Sequence, residues 1–110
     1  MLLIENDSAL ASLLVRAISN AGASRIDVVD DTEQAMLRAT FTDYDVVIAD
    51  FDLDPRTEGG LSALERVRRE RLGPRTYIIL SAVAREVPPW CTLVNAGDLR
   101  QLTAIVAAWG

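Results

Sequence analysis

The chain has no histidine and no lysine, because its 11 basic residues are all arginine. A histidine base and a lysine ammonium group are therefore excluded from any mechanism carried by this chain alone. The single Cys91 cannot form an internal disulfide, which fits a reducing compartment. No apolar run approaches the roughly 20 residues of a membrane-spanning helix, and the first residues lack the pattern of a secretory signal. We therefore expect a cytoplasmic protein with no membrane segment.

The 110 residues carry a net charge of −5, and half of them are apolar. This length predicts one domain, residues 1–110, with a single core. The acidic charge argues against nucleic acid as a partner of this domain, since such binding depends on neutralising phosphates with basic residues. In the arginine-rich segment 65–75, Glu65 and Glu70 alternate with the arginines at helical spacing, which predicts a solvated helix face.

Apolar periodicity and capping residues predict alternating strands and helices. Helices are expected after Asp7, after the Asp31–Gln34 capping box, over a stretch ending before Gly73, and after an Asp98–Gln101 capping box. The expected strands cover residues 1–4, 25–29, 44–49, 76–80 and, more weakly, 92–94. Because the third and fourth strands are apolar throughout, they predict a parallel sheet covered by helices on both faces, a three-layer α/β sandwich.

Only nine residues, 82–90, separate the expected fourth strand from Cys91. A parallel crossover usually needs about a dozen residues or more. Pro88 and Pro89 also forbid helix around them. The fourth crossover is therefore expected to have at most one helical turn, and the fourth helix of the sandwich is shortened or missing.

Polar residues follow the strands at the ends where parallel sheets collect their functional groups. Glu5 and Asn6 follow the first strand, and Asp50 ends the third. Ser81 follows the fourth strand, and Asn95 follows the fifth. If Glu5 and Asp50 approach each other at this edge, two carboxylates favour a hard divalent cation such as Mg²⁺.

These motifs, in this order, resemble the receiver domain of bacterial response regulators (CheY-like). The resemblance rests on "LLIENDSALASLL", "DVVIADFDL" followed by "GGLSALERVR", "IILSA" and "LVNAGDLRQL". It implies a flavodoxin-like sheet of strand order 2-1-3-4-5. It also implies a phosphoacceptor or binding domain of two-component (phosphorelay) signalling, and not an enzyme. The implied partners are a sensor histidine kinase or phosphotransfer protein, or an effector protein, and homodimers also occur in this family.

The resemblance assigns roles to particular residues. Asp50 would accept a phosphoryl group. Glu5 and Asn6 would occupy the acidic-pair positions that bind Mg²⁺ together with Asp50. The backbone carbonyl of Asp52 would be a further metal ligand, and Ser81 would hydrogen-bond a phosphoryl oxygen.

Three positions depart from the family pattern. Asn6 stands where an aspartate usually binds the metal, so Mg²⁺ binding is expected to be weak. Asn95 replaces the lysine that would pair with the phosphoryl group, and a neutral donor binds less strongly than a charged one. Thr92 replaces the usual switching aromatic. A degenerate receiver that acts as a phosphate-independent interaction module therefore remains an alternative, and Asn95 before Ala-Gly is also ordinary turn chemistry.

The stretch "VVIADFDLD" also resembles the first motif of haloacid-dehalogenase-type phosphatases, which gives an enzymatic alternative. That family uses a lysine, which this chain lacks, and its first motif normally opens the domain. Asp54 stands where a small hydroxyl or apolar residue is usual. These departures favour the receiver interpretation over the phosphatase.

Overall fold

The computed structural model describes residues 1–23, 25–52, 59–70, 74 and 76–109. Within them, five strands and four helices alternate along the chain, except that the last two strands are consecutive. The elements are β1 Leu2–Ile4, α1 Ser8–Asn20, β2 Asp27–Val29, α2 Thr32–Phe41, β3 Val46–Asp50, α3 Gly60–Glu70, β4 Thr76–Ser81, β5 Cys91–Asn95 and α4 Arg100–Trp109. No helix in this described part is long and apolar enough to cross a bilayer.

The five strands form one parallel sheet of order β2-β1-β3-β4-β5. The strand order implied by the family resemblance is thereby confirmed. In the register of the sheet, Asp50 pairs with Leu80, and Ser81 pairs with Asn95. The carboxyl ends of β3, β4 and β5 therefore lie side by side at one edge.

The core is divided between the two faces of the sheet, which gives the expected three-layer sandwich. On one face α1 and α4 pack against the strands, and on the other face α2 and α3 do so. β1, β3 and β4 contribute side chains to both faces, which explains why their sequences are apolar without alternation. The helix residues buried against the sheet include Leu14 and Ile18 of α1, Met36 of α2, Leu64 and Val67 of α3, and Leu102 and Val106 of α4.

The crossover between β4 and β5 contains no helix, so the expectation of a shortened or missing fourth helix is confirmed. The half-buried Trp90 covers part of the sheet there. Its ring packs edge-on against Tyr77 with 5.4 Å between ring centroids, and the Arg68 guanidinium lies 5.0 Å from the Trp90 ring. Trp90 is therefore a packing residue on the face of the sheet that α2 and α3 also cover.

The first two helices begin where the sequence predicts. The Asp7 side chain accepts two backbone N–H groups of the first turn of α1, and Gly22 follows that helix with a φ of 113°. Asp31 caps α2 by accepting the N–H of Gln34 at 2.9 Å. The Gln34 side chain accepts from the N–H of Asp30, one residue earlier than an ideal capping box requires.

Two boundaries near the C-terminus differ from the prediction. β5 begins at Cys91 and ends at Asn95, so it is longer than the weak strand expected over 92–94. α4 begins at Arg100, so Asp98 lies before the helix cap and does not form a capping box with Gln101. The Asp98 carboxylate instead binds the backbone N–H and the guanidinium of Arg100. The predicted end of the third helix before Gly73 lies outside the described residues.

Candidate functional site

Asp50 is the last residue of β3, and its side chain is half-buried at the carboxyl edge of the sheet. Its Oδ1 accepts a hydrogen bond from the N–H of Asp52 at 3.0 Å, which restrains the carboxylate. Gly60, the first residue of α3, packs directly against the Asp50 backbone. A Cβ atom at Gly60 would overlap the Asp50 carbonyl group. The close approach of α3 therefore fixes the backbone that carries Asp50.

Glu5 follows β1, the strand beside β3, and is only 2% exposed. Its backbone N–H donates to the carbonyl oxygen of Val29 at 2.9 Å, which anchors the residue to β2. Its Oε1 accepts from the N–H of Asp7 at 2.9 Å. Its Oε2 is buried and has no hydrogen-bond partner among the described residues. A buried carboxylate oxygen without a donor is costly, so this atom calls for a proton or a cation.

The structure brings Glu5 and Asp50 to the same place, because Ile4 pairs with Ala49 in the register of β1 and β3 and these two residues follow directly. Burial, and then the neighbouring Asp50 carboxyl group, raise the pKa of Glu5 to about 7, against the opposing effect of the Asp7 N–H. Near neutral pH, the buried Glu5 carboxyl group therefore favours a proton or a nearby cation.

The residues around this pair fit a magnesium ion. Mg²⁺ typically uses one or two protein carboxylates and retains several waters. Glu5 and Asp50 would supply the carboxylates, and Asn6, which is exposed directly after Glu5, would supply an amide oxygen. No group of three or more Asp, Glu, His or Cys that could hold a metal ion occurs in the described ranges. The pocket thus contains less negative charge than three converging carboxylates would give.

Asp52 is exposed, and its N–H binds Asp50 as described above. This short loop contact keeps Asp52 beside Asp50, where the resemblance would assign its carbonyl to the metal. Asp54, which bears on the phosphatase alternative, lies outside the described residues.

Ser81 ends β4 and is buried at the same edge of the sheet. Its hydroxyl donates to the carbonyl oxygen of Val83 at 2.8 Å. It also accepts from the Nε of Arg85 at 3.1 Å and from the N–H of Val83 at 3.3 Å. The hydroxyl is therefore held by the loop that follows β4.

Arg85 lies at this edge of the sheet, beside Ser81 and Phe51, and the sequence interpretation did not single it out. Its guanidinium carbon lies 3.8 Å from the centroid of the Phe51 ring, and Phe51 directly follows Asp50. One signal in the sequence was available, since Arg85 is the sole basic residue of the segment 82–90, which follows the strand ending at Ser81. The contact itself could not be read from the sequence, because it joins residues 34 positions apart across two strands.

Asn95 and Thr92 lie on β5, next to β4. Asn95 is exposed, and its Oδ1 accepts the N–H of Gly97 at 2.8 Å, which is the turn interaction that the sequence also allows. Thr92 is half-buried and pairs in register with Ile78. Neither residue contributes a charge to the edge where Asp50 lies.

The comparisons agree with this fold. The family model of the response regulator receiver domain matches residues 1–103. No curated protein matches the chain. A similar solved structure is the receiver domain of the sensor histidine kinase PA1611 from Pseudomonas aeruginosa PAO1, with a magnesium ion coordinated in its active site cleft. Its TM-score is 0.78 at 23% identity, over 98% of this chain and 93% of that chain.

Another similar structure contains histidine kinase ThkA in complex with response regulator protein TrrA. Its TM-score is 0.71 at 18% identity, over 96% of this chain and 95% of that chain. At these identities, the structural likeness shows a shared fold.

Proposed function

Because the chain belongs to the response regulator receiver domain family, we propose that it serves two-component signalling by accepting a phosphoryl group on Asp50. The observation that carries this proposal is the position of Glu5 beside Asp50 at the carboxyl edge of the sheet, which the register of β1 with β3 sets. A buried Glu5 oxygen without a partner among the described residues supports a cation requirement at the same place. Family membership and local geometry thus favour the same residue.

In the proposed reaction, a carboxylate oxygen of Asp50 attacks the phosphorus of a phosphohistidine. An O–P bond forms while the P–N bond breaks, and the departing histidine nitrogen keeps the electron pair and is protonated from solvent. Asp52 holds the Asp50 carboxylate through its N–H, and Glu5 supplies a second negative charge beside it. Mg²⁺, bound by Glu5, Asn6, Asp50 and the Asp52 carbonyl, would neutralise charge that develops on the transferring oxygens.

The proposed phosphodonor is a sensor histidine kinase or a phosphotransfer protein. The proposed downstream partner is an effector protein that binds the phosphorylated domain. The structure of a histidine kinase with a response regulator, whose fold this chain shares, supports the first partner. A second copy of this chain is the other partner that the proposal includes. The buried, unpaired Cys91 is compatible with the cytoplasm, where such signalling takes place.

Phosphorylation can be tested by intact-mass measurement after incubation with Mg²⁺ and acetyl phosphate. We expect the mass to increase by one phosphoryl group in the wild type and to stay unchanged in Asp50→Asn. Asp52→Asn is the matched control, because it changes an exposed carboxylate two residues away and keeps the backbone N–H that binds Asp50. If the added mass persists in Asp50→Asn, Asp50 is not the acceptor.

The second candidate function is a phosphate-independent interaction module. Two observations favour it: Asn6 brings no charge to the acidic pair, and the Asn95 side chain oxygen is engaged in its own turn. In that case the wild type should gain no mass in the same experiment while its fold is retained. This result would select the interaction module over the phosphorylation switch.

Restoring a third carboxylate provides a test of the metal site. Asn6→Asp should tighten Mg²⁺ binding by about tenfold, because a further negative charge attracts the cation within the same pocket. Isothermal titration calorimetry measures this change. Asn20→Asp is the control, since it adds the same charge at the other end of α1, roughly 18 Å away at the helical rise per residue. Equal or weaker binding in Asn6→Asp would reject the proposed pocket.

A further inference from the structure

We propose that Arg85 supplies the positive charge that binds the phosphoryl group on Asp50. This inference rests on the proposed function and names the residue that replaces the missing lysine. A phosphoryl group on a carboxylate carries negative charge on three oxygens, and a cationic donor binds it more strongly than a neutral one. Since the chain contains neither lysine nor histidine, only an arginine side chain can provide that charge from within it.

Arg85 is held beside the acceptor at two points. Its Nε donates to the Ser81 hydroxyl at 3.1 Å, and its guanidinium stacks on the Phe51 ring at 3.8 Å. Phe51 directly follows Asp50, and its N–H donates to the carbonyl oxygen of Leu80 at 2.8 Å. Both anchors of Arg85 therefore belong to the carboxyl ends of β3 and β4, the two strands that carry Asp50 and Ser81.

The guanidinium also has unused donors. Arginine has five N–H groups, and the Ser81 contact uses the one on Nε. Over the described ranges, the contacts of Arg85 are with Ser81 and Phe51, and no carboxylate forms an ion pair with it. The side chain is exposed, so an incoming anion can reach it. The N–H groups of the two terminal guanidinium nitrogens therefore remain for bidentate binding of phosphoryl oxygens.

Several other arginines are already engaged. Arg66 pairs with Glu33 at 2.7 Å, between α3 and α2. Arg100 pairs with Asp98 at 2.7 Å, and Arg25 pairs with Asp27 at the start of β2. Arg85 is distinguished from these by its contact with the residue next to Asp50.

The test is a double-mutant cycle that removes the positive charge at position 85 and introduces one at position 95. The probe is beryllium trifluoride with Mg²⁺, a mimic of the phosphoryl group, and its dissociation constant is measured by NMR titration. Arg85→Gln should weaken binding by about tenfold or more, as expected for a hydrogen bond to a charged group. Arg38→Gln, which removes an exposed positive charge from α2, is the control and should bind as the wild type does.

Asn95→Lys separates a binding role from a structural one. Ser81 pairs with Asn95 in the sheet, so a lysine there would bring an alternative ammonium group to the same edge. We expect Asn95→Lys to restore most of the affinity lost in Arg85→Gln, and to add much less affinity in the wild type. A structural role of Arg85 would not be rescued in this way. Arg85→Lys should retain part of the affinity, since it keeps the charge but not the planar fork.

The outcomes distinguish this inference from the proposed function. If the wild type binds the probe and Arg85→Gln binds it equally well, Arg85 has no such role, while Asp50 can still be the acceptor. An equal gain from Asn95→Lys in both backgrounds also overturns the role of Arg85. If the wild type binds no better than Asp50→Asn, both the proposed function and the role of Arg85 are rejected. Thermal unfolding of each variant confirms that it is folded.

Discussion

Gly60→Ala should lower the free energy of unfolding by about 3 kcal/mol or more, because the new methyl group has no space. A Cβ atom at this position would overlap the carbonyl oxygen of Asp50 and lie 2.7 Å from its carbonyl carbon. It would also lie 3.0 Å from Cδ1 of Ile79. The backbone of β3 cannot yield easily, since it pairs with β1 on one side and β4 on the other. The helix α3 would have to move away from the sheet.

Chemical denaturation of Gly60→Ala and Gly59→Ala measures this effect with a matched control. A Cβ atom at Gly59 would meet only the Phe51 carbonyl oxygen at 3.9 Å, which is ordinary contact. Gly59 precedes α3, so its change to alanine should cost within about 1 kcal/mol through the helix cap. Similar stabilities of the two variants would contradict the close packing of α3 on Asp50.

The displacement should also affect the site. Moving α3 removes the packing of Gly60 against the backbone of Asp50, whose carboxylate is the proposed acceptor. Gly60→Ala protein that still folds should therefore take up a phosphoryl group more slowly than Gly59→Ala. This comparison links the packing of one glycine to the proposed chemistry.

Glu5→Gln should increase the free energy of unfolding by about 3 kcal/mol at pH 8 and change it little at pH 4. In the folded protein, burial and the neighbouring Asp50 raise the pKa of Glu5 from 4.5 to about 7. Between these values the folded state binds a proton that the unfolded state releases, so the stability of the wild type falls as pH rises. Below pH 4.5 this stabilising contribution is fully present, and above about pH 7 it is lost.

Glutamine removes this dependence while conserving the local contacts. Its oxygen can still accept from the N–H of Asp7, and its amide can donate to Asp50 without any ionisation. Denaturation curves at several pH values, with Glu86→Gln as a control for an exposed carboxylate, measure the difference. If the wild type and Glu5→Gln differ by the same amount at pH 4 and pH 8, Glu5 is not a buried member of an acidic pair.

Magnesium provides a further check at pH 8. By binding both carboxylates, Mg²⁺ should stabilise the wild type by an amount that rises with its concentration. Glu5→Gln should gain less, because one of the two charges is absent.

Much of the fold could be predicted from the sequence because its signals are local. Apolar runs without alternation in β3 and β4 reflect burial on both faces, and Asp7 and Asp31 mark helix starts by satisfying nearby N–H groups. The ends of short elements could not be predicted as well. Pairing with β4 extends β5 from Cys91 to Asn95. α4 begins only at Arg100, whose N–H and guanidinium bind the Asp98 carboxylate before the helix.

The sequence by itself determined the order of the elements and the edge at which polar residues collect. It also determined that no helix forms in the crossover between β4 and β5. Spacing, two prolines and parallel strand direction are sufficient for these features. Only the tertiary structure decided that Glu5 is buried against Asp50, that α3 leaves no space at Gly60 and that Arg85 stacks on Phe51. These contacts join residues far apart in the chain, and their energies depend on distance and burial, which only packing sets.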